Sequence, residues 1–234
     1  MTSPLRRIGI LGGMGPEATV LLMQKVIAAV PAKDDADHIP LLIDQNPQVP
    51  SRIARLIEGT GEDPAPVLAA MARRLEQAGA EGLAMPCNTA HHYADAIRGA
   101  ATVPFLDMVA LSVAHAVELA GPGASVGILA SPAVRRVGLF DAPFAKAGLT
   151  PFYATDEDAT LAAIRAIKRD GPTAEARAAL RAASTALLDR GAAVQMIACT
   201  EFSLVADAVA DGVTGFDTLD RLVAAIVAFS RGAD

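Results

Sequence analysis

Two stretches of the chain carry one pattern, and together they dictate a two-part fold. LEQAGAEGLAMPC runs from Leu75 to Cys87, and LLDRGAAVQMIAC runs from Leu187 to Cys199. Leu75 matches Leu187, Gly79 matches Gly191, Ala80 matches Ala192 and Cys87 matches Cys199, each pair 112 positions apart. Upstream, IGILGG from Ile8 answers VGILAS from Val126, with Gly9 and Gly127 118 positions apart. The two offsets differ by the length of a short loop. Such a period is too long for a solenoid unit and fits two related domains.

Each half alternates strands and helices. LRRIGIL reads as a strand, and Pro16 sits at the first position of the helix PEATVLLMQKVIAA. IPLLID is a second strand, and PAPVLAAMARRLEQAG is an amphipathic helix stopped by Gly79. EGLAMP is a third strand, followed by a helix from about Asn88 and then VPFLD. The second half repeats the scheme with SVGILA, LTPFYA, helices over about 158–169 and 173–190, and AVQMIA. The last stretch, GVTGFDTLDRLVAAIVAFSRG, corresponds to TVPFLDMVALSVAHAVELAG, so the chain is expected to cross between domains and return at its end. Buried apolar strands alternating with helices predict an α/β fold with parallel sheets flanked by helices. The predicted domains are 1–106 plus 212–234, and 107–211, related by a pseudo-twofold axis.

Composition narrows the function. A net charge of −6 and no Lys/Arg run beyond RR argue against nucleic acid as a partner. No apolar run is long enough to span a bilayer. The N-terminal apolar stretch is broken by glycines, Pro16 and Glu17, so it reads as a first strand rather than a signal peptide. That implies the cytoplasm, where both thiols stay reduced.

Both cysteines end a strand, and a helix is expected just after each. Ligands of open α/β sheets collect beyond the carboxyl ends of the strands, and a helix N-terminus favours a thiolate. Pseudo-twofold packing would face the two thiols across an interdomain cleft. One acid/base group on either side of a carbon inverts its configuration in both directions. Two buried structural cysteines, or a disulfide, are the plainer alternatives. A metal site on Cys87, His91 and His92 is disfavoured, because C-x-x-x-H-H is not a zinc spacing and Cys199 has no matching histidine.

IGILGGMGPEAT, NPQVPSR, MPCNTAHHYADAI and ACTEFSLV, in that order along the chain, resemble the aspartate/glutamate racemase family, the aspartate racemases above all. The second cysteine is followed by Thr-Glu, unlike the Thr-His of dedicated glutamate racemases. The resemblance implies a cofactor-independent racemase with no metal, acting on a small acidic amino acid from the cleft between two domains. Cys87 and Cys199 take the acid and base roles. Asn88, Thr89 and Thr200 surround the α-carboxylate and amino group, and Asn88 and Thr200 are expected to cap helices as well. Arg52 binds the side-chain carboxylate, and Lys168 is the best match for a second cation there, with Arg165 as its neighbour. Gly13 and Met14 approach the substrate with their backbone. Glu201, His91 and Ser131 stand behind these groups. Homodimers are common for such folds, although no residue run marks an interface.

One departure bears on the substrate. ASPAVRR replaces the threonine- and glycine-rich loop usual after the second GIL, and only Ser131 keeps a hydroxyl in 131–134. Hydantoins or small diacids are therefore alternative substrates of the same cofactor-free chemistry, and a non-catalytic amino-acid or diacid binder is a further alternative. A dinucleotide reading rests on G-x-G-x-x-A at Gly13–Ala18 and needs an acidic residue near position 33, at the end of the second strand; that strand ends at Asp44. Pyridoxal phosphate needs a Schiff-base lysine, and none of the four lysines sits in such a setting.

Overall fold

Gly9 and Gly127, the matched glycines of the repeat, lie in two parallel sheets of the same strand order. A computed structural model describes residues 5–232. They divide into two units, one ending at Met108 and resuming at Leu219, the other Val109–Thr218. The first contains β1 (Ile8–Gly12), α1 (Pro16–Ala28), β2 (Leu41–Gln45), α2 (Ala65–Gln77), β3 (Gly82–Ala84), α3 (Ala94–Arg98) and β4 (Phe105–Leu106). Its sheet runs β2-β1-β3-β4, every pair parallel. α4 (Met108–Ala120) leads into β5 (Ser125–Leu129), α5 (Pro132–Arg136), α6 (Asp141–Lys146), β6 (Thr150–Tyr153), α7 (Glu157–Asp170), α8 (Ala174–Asp189), β7 (Val194–Ile197) and β8 (Thr214–Asp217). The second sheet runs β6-β5-β7-β8, again parallel throughout. α9 (Thr218–Ser230) returns the chain to the first unit.

The sequence repeat is a packing repeat. Gly9 is opposite Leu83 in the register, and Gly127 is opposite Gln195. A Cβ on Gly9 would lie 2.8 Å from Leu83, 2.9 Å from Ala80 and 3.0 Å from Leu75. A Cβ on Gly127 would lie 2.8 Å from Gln195, 3.2 Å from Leu187 and 3.4 Å from Ala192. The three neighbours of Gly127 are those of Gly9 moved 112 positions along the chain. In each unit a glycine thus gives a helix, α2 or α8, room to press on the central strand. Both helices also stop alike. Gly79 and Gly191 take φ of +93° and +92°, which side chains avoid, and the next N–H bonds back to the Leu75 or Leu187 carbonyl at 3.0 Å.

Where the first sheet has Leu83, the second has a fully buried amide. Gln195 Nε2 donates to the Ser184 and Ala192 carbonyls at 2.9 and 3.1 Å, and its Oε1 accepts from Ser184 Oγ at 2.7 Å. Those bonds offset the desolvation of the side chain.

The return point differs from the expected one. The 212–217 stretch was assigned to the first domain, yet β8 pairs with β7, Met196 opposite Phe216. The chain therefore returns after Thr218 rather than after residue 211. The physical reason is symmetry between the sheets: β8 fills beside β7 the place that β4 fills beside β3. Among the described residues, no helix is long and apolar enough to cross a membrane.

Candidate active site

In both sheets the strand order switches direction between the first and third strands in sequence, β1/β3 and β5/β7. The crevice beyond the carboxyl ends of such a pair is where open α/β sheets hold ligands. In the first unit, Gly13 and Met14 follow β1, Arg52 opens the short helical segment after β2, and Cys87, Asn88, Thr89 and His91 follow β3. In the second, Ser131 follows β5, Cys199, Thr200 and Glu201 follow β7, and Lys168 projects from α7. Both cysteines are free and buried.

Around Cys87 the backbone is fixed by a histidine. The His91 ring Nδ1 lies 2.8 Å from the Cys87 carbonyl, and its Nε2 lies 3.2 Å from the Met108 amide nitrogen. A carbonyl can only accept and an amide N–H only donate, so Nδ1 carries the proton and Nε2 is bare. The ring is neutral, packs on Phe105, and has both nitrogens engaged. This accounts for His91 without a metal; among the described residues no cluster suits one. Burial holds the His91 pKa below its ordinary value of 6.5, with Asp107 opposing. Below pH 6.5 the unfolded chain therefore binds a proton that the folded chain refuses. Stability is fully present above pH 6.5 and falls as the pH drops toward the folded value. Urea unfolding should show this slope between pH 6.5 and 5. His91→Leu should remove the slope and cost about 2–4 kcal/mol at pH 7.5 by stripping two buried groups of this partner. A slope that survives the substitution would assign it to other groups.

The rest of this cluster is apolar. Met14 and Val49 pack with Cys87, Met85 and Ala90. Gly13 has φ +91°, and a Cβ there would lie 2.3 Å from the Asn46 backbone, so the loop requires glycine. Its N–H donates to Thr19 Oγ1 at 3.0 Å and so faces its own helix. The expected helix from Asn88 begins as a 3₁₀ turn, Thr89–Tyr93, and continues as α3. Asn88 stands at its N-cap but does not cap it through its side chain. Thr200 likewise lies outside the cap of the 3₁₀ segment Phe202–Ala208, whose N-cap is Glu201. The capping roles expected for Asn88 and Thr200 are therefore not realised. Both side chains are buried, and Thr89 is half-buried.

Arg52 is anchored at one end. Its Nη1 donates to the Val49 and Pro50 carbonyls at 3.2 and 2.9 Å, and its Nε is buried without a hydrogen bond among the described residues. Asp44, the acid at the end of β2, takes Arg74 at 2.6 Å. That use of Asp44 further weakens the dinucleotide reading.

The second unit surrounds its cysteine differently. Cys199 Sγ donates to Glu201 Oε2 at 3.1 Å, and Glu201 Oε1 pairs with the Lys168 ammonium. Ser203 N–H on the Cys199 carbonyl, at 3.2 Å, and Thr218 Oγ1 on the Ile197 carbonyl, at 2.9 Å, fix the segment. Burial pushes the Cys199 thiol well above its ordinary pKa, the Glu201 charge adds to this, and Lys168 opposes it. The expectation that a helix N-terminus favours the thiolate thus fails at Cys199. A short 3₁₀ segment has little dipole to offer, and a carboxylate two residues away outweighs it. Glu201→Gln keeps the shape and removes the charge. It should lower the Cys199 pKa and raise its alkylation by iodoacetamide at pH 7.5 about tenfold, read by peptide mass spectrometry. An unchanged rate would mean that Glu201 does not control the thiol.

Ser131, the remaining hydroxyl of the altered loop, accepts from the Ala133 N–H at 3.3 Å and caps α5. Pro132, Ala133 and Val134 are buried against the core, which is why this loop could abandon polar side chains. Tyr93 escaped the sequence reading, although it lies inside the MPCNTAHHYADAI motif.

A family profile described as Asp/Glu/Hydantoin racemase matches residues 11–228. Over 106 residues the chain is 37% identical to the broad specificity amino-acid racemase RacX of Bacillus subtilis, a match covering 44% of this chain and 45% of that protein. The aspartate racemase of Picrophilus torridus shares the fold with a TM-score of 0.85 at 23% identity, covering 96% of this chain and 94% of that one. An aspartate racemase homologue from Pyrococcus horikoshii OT3 gives 0.74 at 22% identity, covering 97% and 99%. At those identities the structural likeness concerns the fold, whereas the profile spans nearly the whole described chain. The chain belongs to the Asp/Glu/hydantoin racemase family.

Proposed function

We propose that the protein is a cofactor-independent amino-acid racemase, an isomerase, acting on aspartate or glutamate. Cys87 and Cys199 exchange protons with Cα from opposite sides. The observation that carries this reading is the equivalence of the two sulfurs: each follows the third strand of its own sheet, beside the switch point, in a repeat whose packing is also equivalent. One thiolate removes the α-proton, the carbanion spreads into the α-carboxylate, and the opposite thiol supplies a proton to the other face. The first sulfur ends protonated and the second ends as thiolate, and exchange of these protons with water resets the pair for another turnover in the same sense.

Asn88, Thr89 and Thr200 hold the α-carboxylate and ammonium through hydroxyl, amide and backbone donors. Arg52 takes the side-chain carboxylate, which selects an acidic substrate. Lys168, paired with Glu201, is the second cation assigned to the same carboxylate. Gly13 and Met14 contribute backbone to the site wall. Neither a metal nor an organic cofactor takes part.

The altered loop supports a second reading. Ser131 caps α5 and the next three side chains are buried and apolar, so this loop brings fewer polar side chains than the usual one, which keeps hydantoins or small diacids as substrates of the same pair of thiols. The name of the Bacillus relative, a broad specificity amino-acid racemase, adds other amino acids to the substrates worth testing. Incubation of D- and L-amino acids in D₂O, with no added cofactor, tests the proposal. Aspartate or glutamate should gain deuterium at Cα while its optical activity falls to zero. No α-exchange in any amino acid, with turnover of a hydantoin or diacid, would replace the first reading by the second.

A further inference from the structure

Tyr93 closes the 3₁₀ turn that begins two residues after Cys87, and its ring packs against the cluster that holds Cys87, Met14 and Val49. Val49 is also the residue whose carbonyl anchors Arg52. Two buried donor atoms in this region, Tyr93 Oη and Arg52 Nε, make no hydrogen bond among the described residues. A buried polar atom left in that state is costly, and most such atoms are satisfied by something. Both can donate at neutral pH, so one group that satisfies both must accept, and the Arg52 charge favours an anion there.

We infer that Tyr93 is a positioning residue that donates its hydroxyl to the same carboxylate that Arg52 grips. This rests on the reading in which Arg52 binds the carboxylate of an acidic substrate. Nη1 of Arg52 is committed to two carbonyls, so the Nε side of the fork faces the ligand. The phenol adds a directional donor to a pair that would otherwise be satisfied by any anion of suitable size. The charges around the phenol agree with this placement. Burial raises its pKa, Asp63 raises it further, and Arg55 and Arg52 pull it down, so both guanidinium charges reach the hydroxyl. The phenol stays protonated and remains a donor throughout the neutral range. Asp63 is the competing acceptor; its Oδ1 takes the Ala65 N–H at 3.0 Å, and it makes no hydrogen bond to the phenol.

Titration calorimetry with succinate tests the inference without any turnover. Succinate offers two carboxylates and no stereocentre. Tyr93→Phe, which removes one oxygen, should weaken succinate about tenfold. In an Arg52→Gln background the same change should cost much less, because the two donors serve one carboxylate. Equal affinity of wild type and Tyr93→Phe, additive losses in the double variant, or no succinate binding to wild type would each overturn it. The racemase reading fails separately: succinate binding that depends on Tyr93 can stand with no α-exchange, and α-exchange can stand with Tyr93→Phe silent.

Discussion

Cys87→Ser and Cys199→Ser each lose net racemisation, with kcat falling by about three to four orders of magnitude. A serine hydroxyl is too weak an acid and, at neutral pH, too rarely an anion to replace a thiol on either face. The loss is equal in kind for both variants because inversion needs both partners. The partial reaction is not equal. A variant that retains one sulfur can still remove and return the α-proton of a single enantiomer, so Cys87→Ser and Cys199→Ser should each wash deuterium into one enantiomer of the substrate and into opposite ones. Circular dichroism follows the first effect and proton NMR in D₂O the second. Full activity in both variants would end the two-thiol mechanism. Full activity in one would reduce it to a single base.

Arg52→Ala raises KM for aspartate or glutamate by about 10- to 100-fold, the size expected for losing a charge-assisted bidentate pair. A neutral amino acid, if turned over, keeps its KM. The split matters because Arg52 Nη1 also ties down the Val49 and Pro50 carbonyls, and loosening of that segment would hurt every substrate alike. A rise in KM confined to acidic substrates reports recognition of the side-chain carboxylate. An equal rise for both kinds of substrate reports the loop.

The repeat was legible in the sequence because the residues that make it visible are those that make the packing. Leu75 and Ala80 close on Gly9, as Leu187 and Ala192 close on Gly127. A helix pressed on a strand leaves no latitude at these positions, so the pattern survives in the letters. The sequence expectation places the return of the chain several residues early, because GVTGFD resembles the strand beside β3 and its letters do not say which sheet it joins. Only the pairing of β8 with β7 decides which sheet owns it. The pKa of Cys199 was misjudged for a different reason. A helix start can be read along the chain, whereas the direction of the Glu201 side chain, back toward the sulfur and onto Lys168, cannot. Nothing in the letters marks Tyr93, because what sets it apart is an oxygen that nothing described around it satisfies.

The two sulfurs hold matching places but unlike company: a neutral imidazole grips the backbone of one, and a carboxylate grips the thiol of the other. Mirror-image substrates have equal free energies in water, so a racemase must obey a Haldane ratio of unity. Whatever lopsidedness Glu201 gives to the resting enzyme can therefore separate the turnover numbers of the L and D forms, but their Michaelis constants must separate by the same factor. Forward and reverse progress curves from the two pure enantiomers must end at the same racemate, however different their opening slopes.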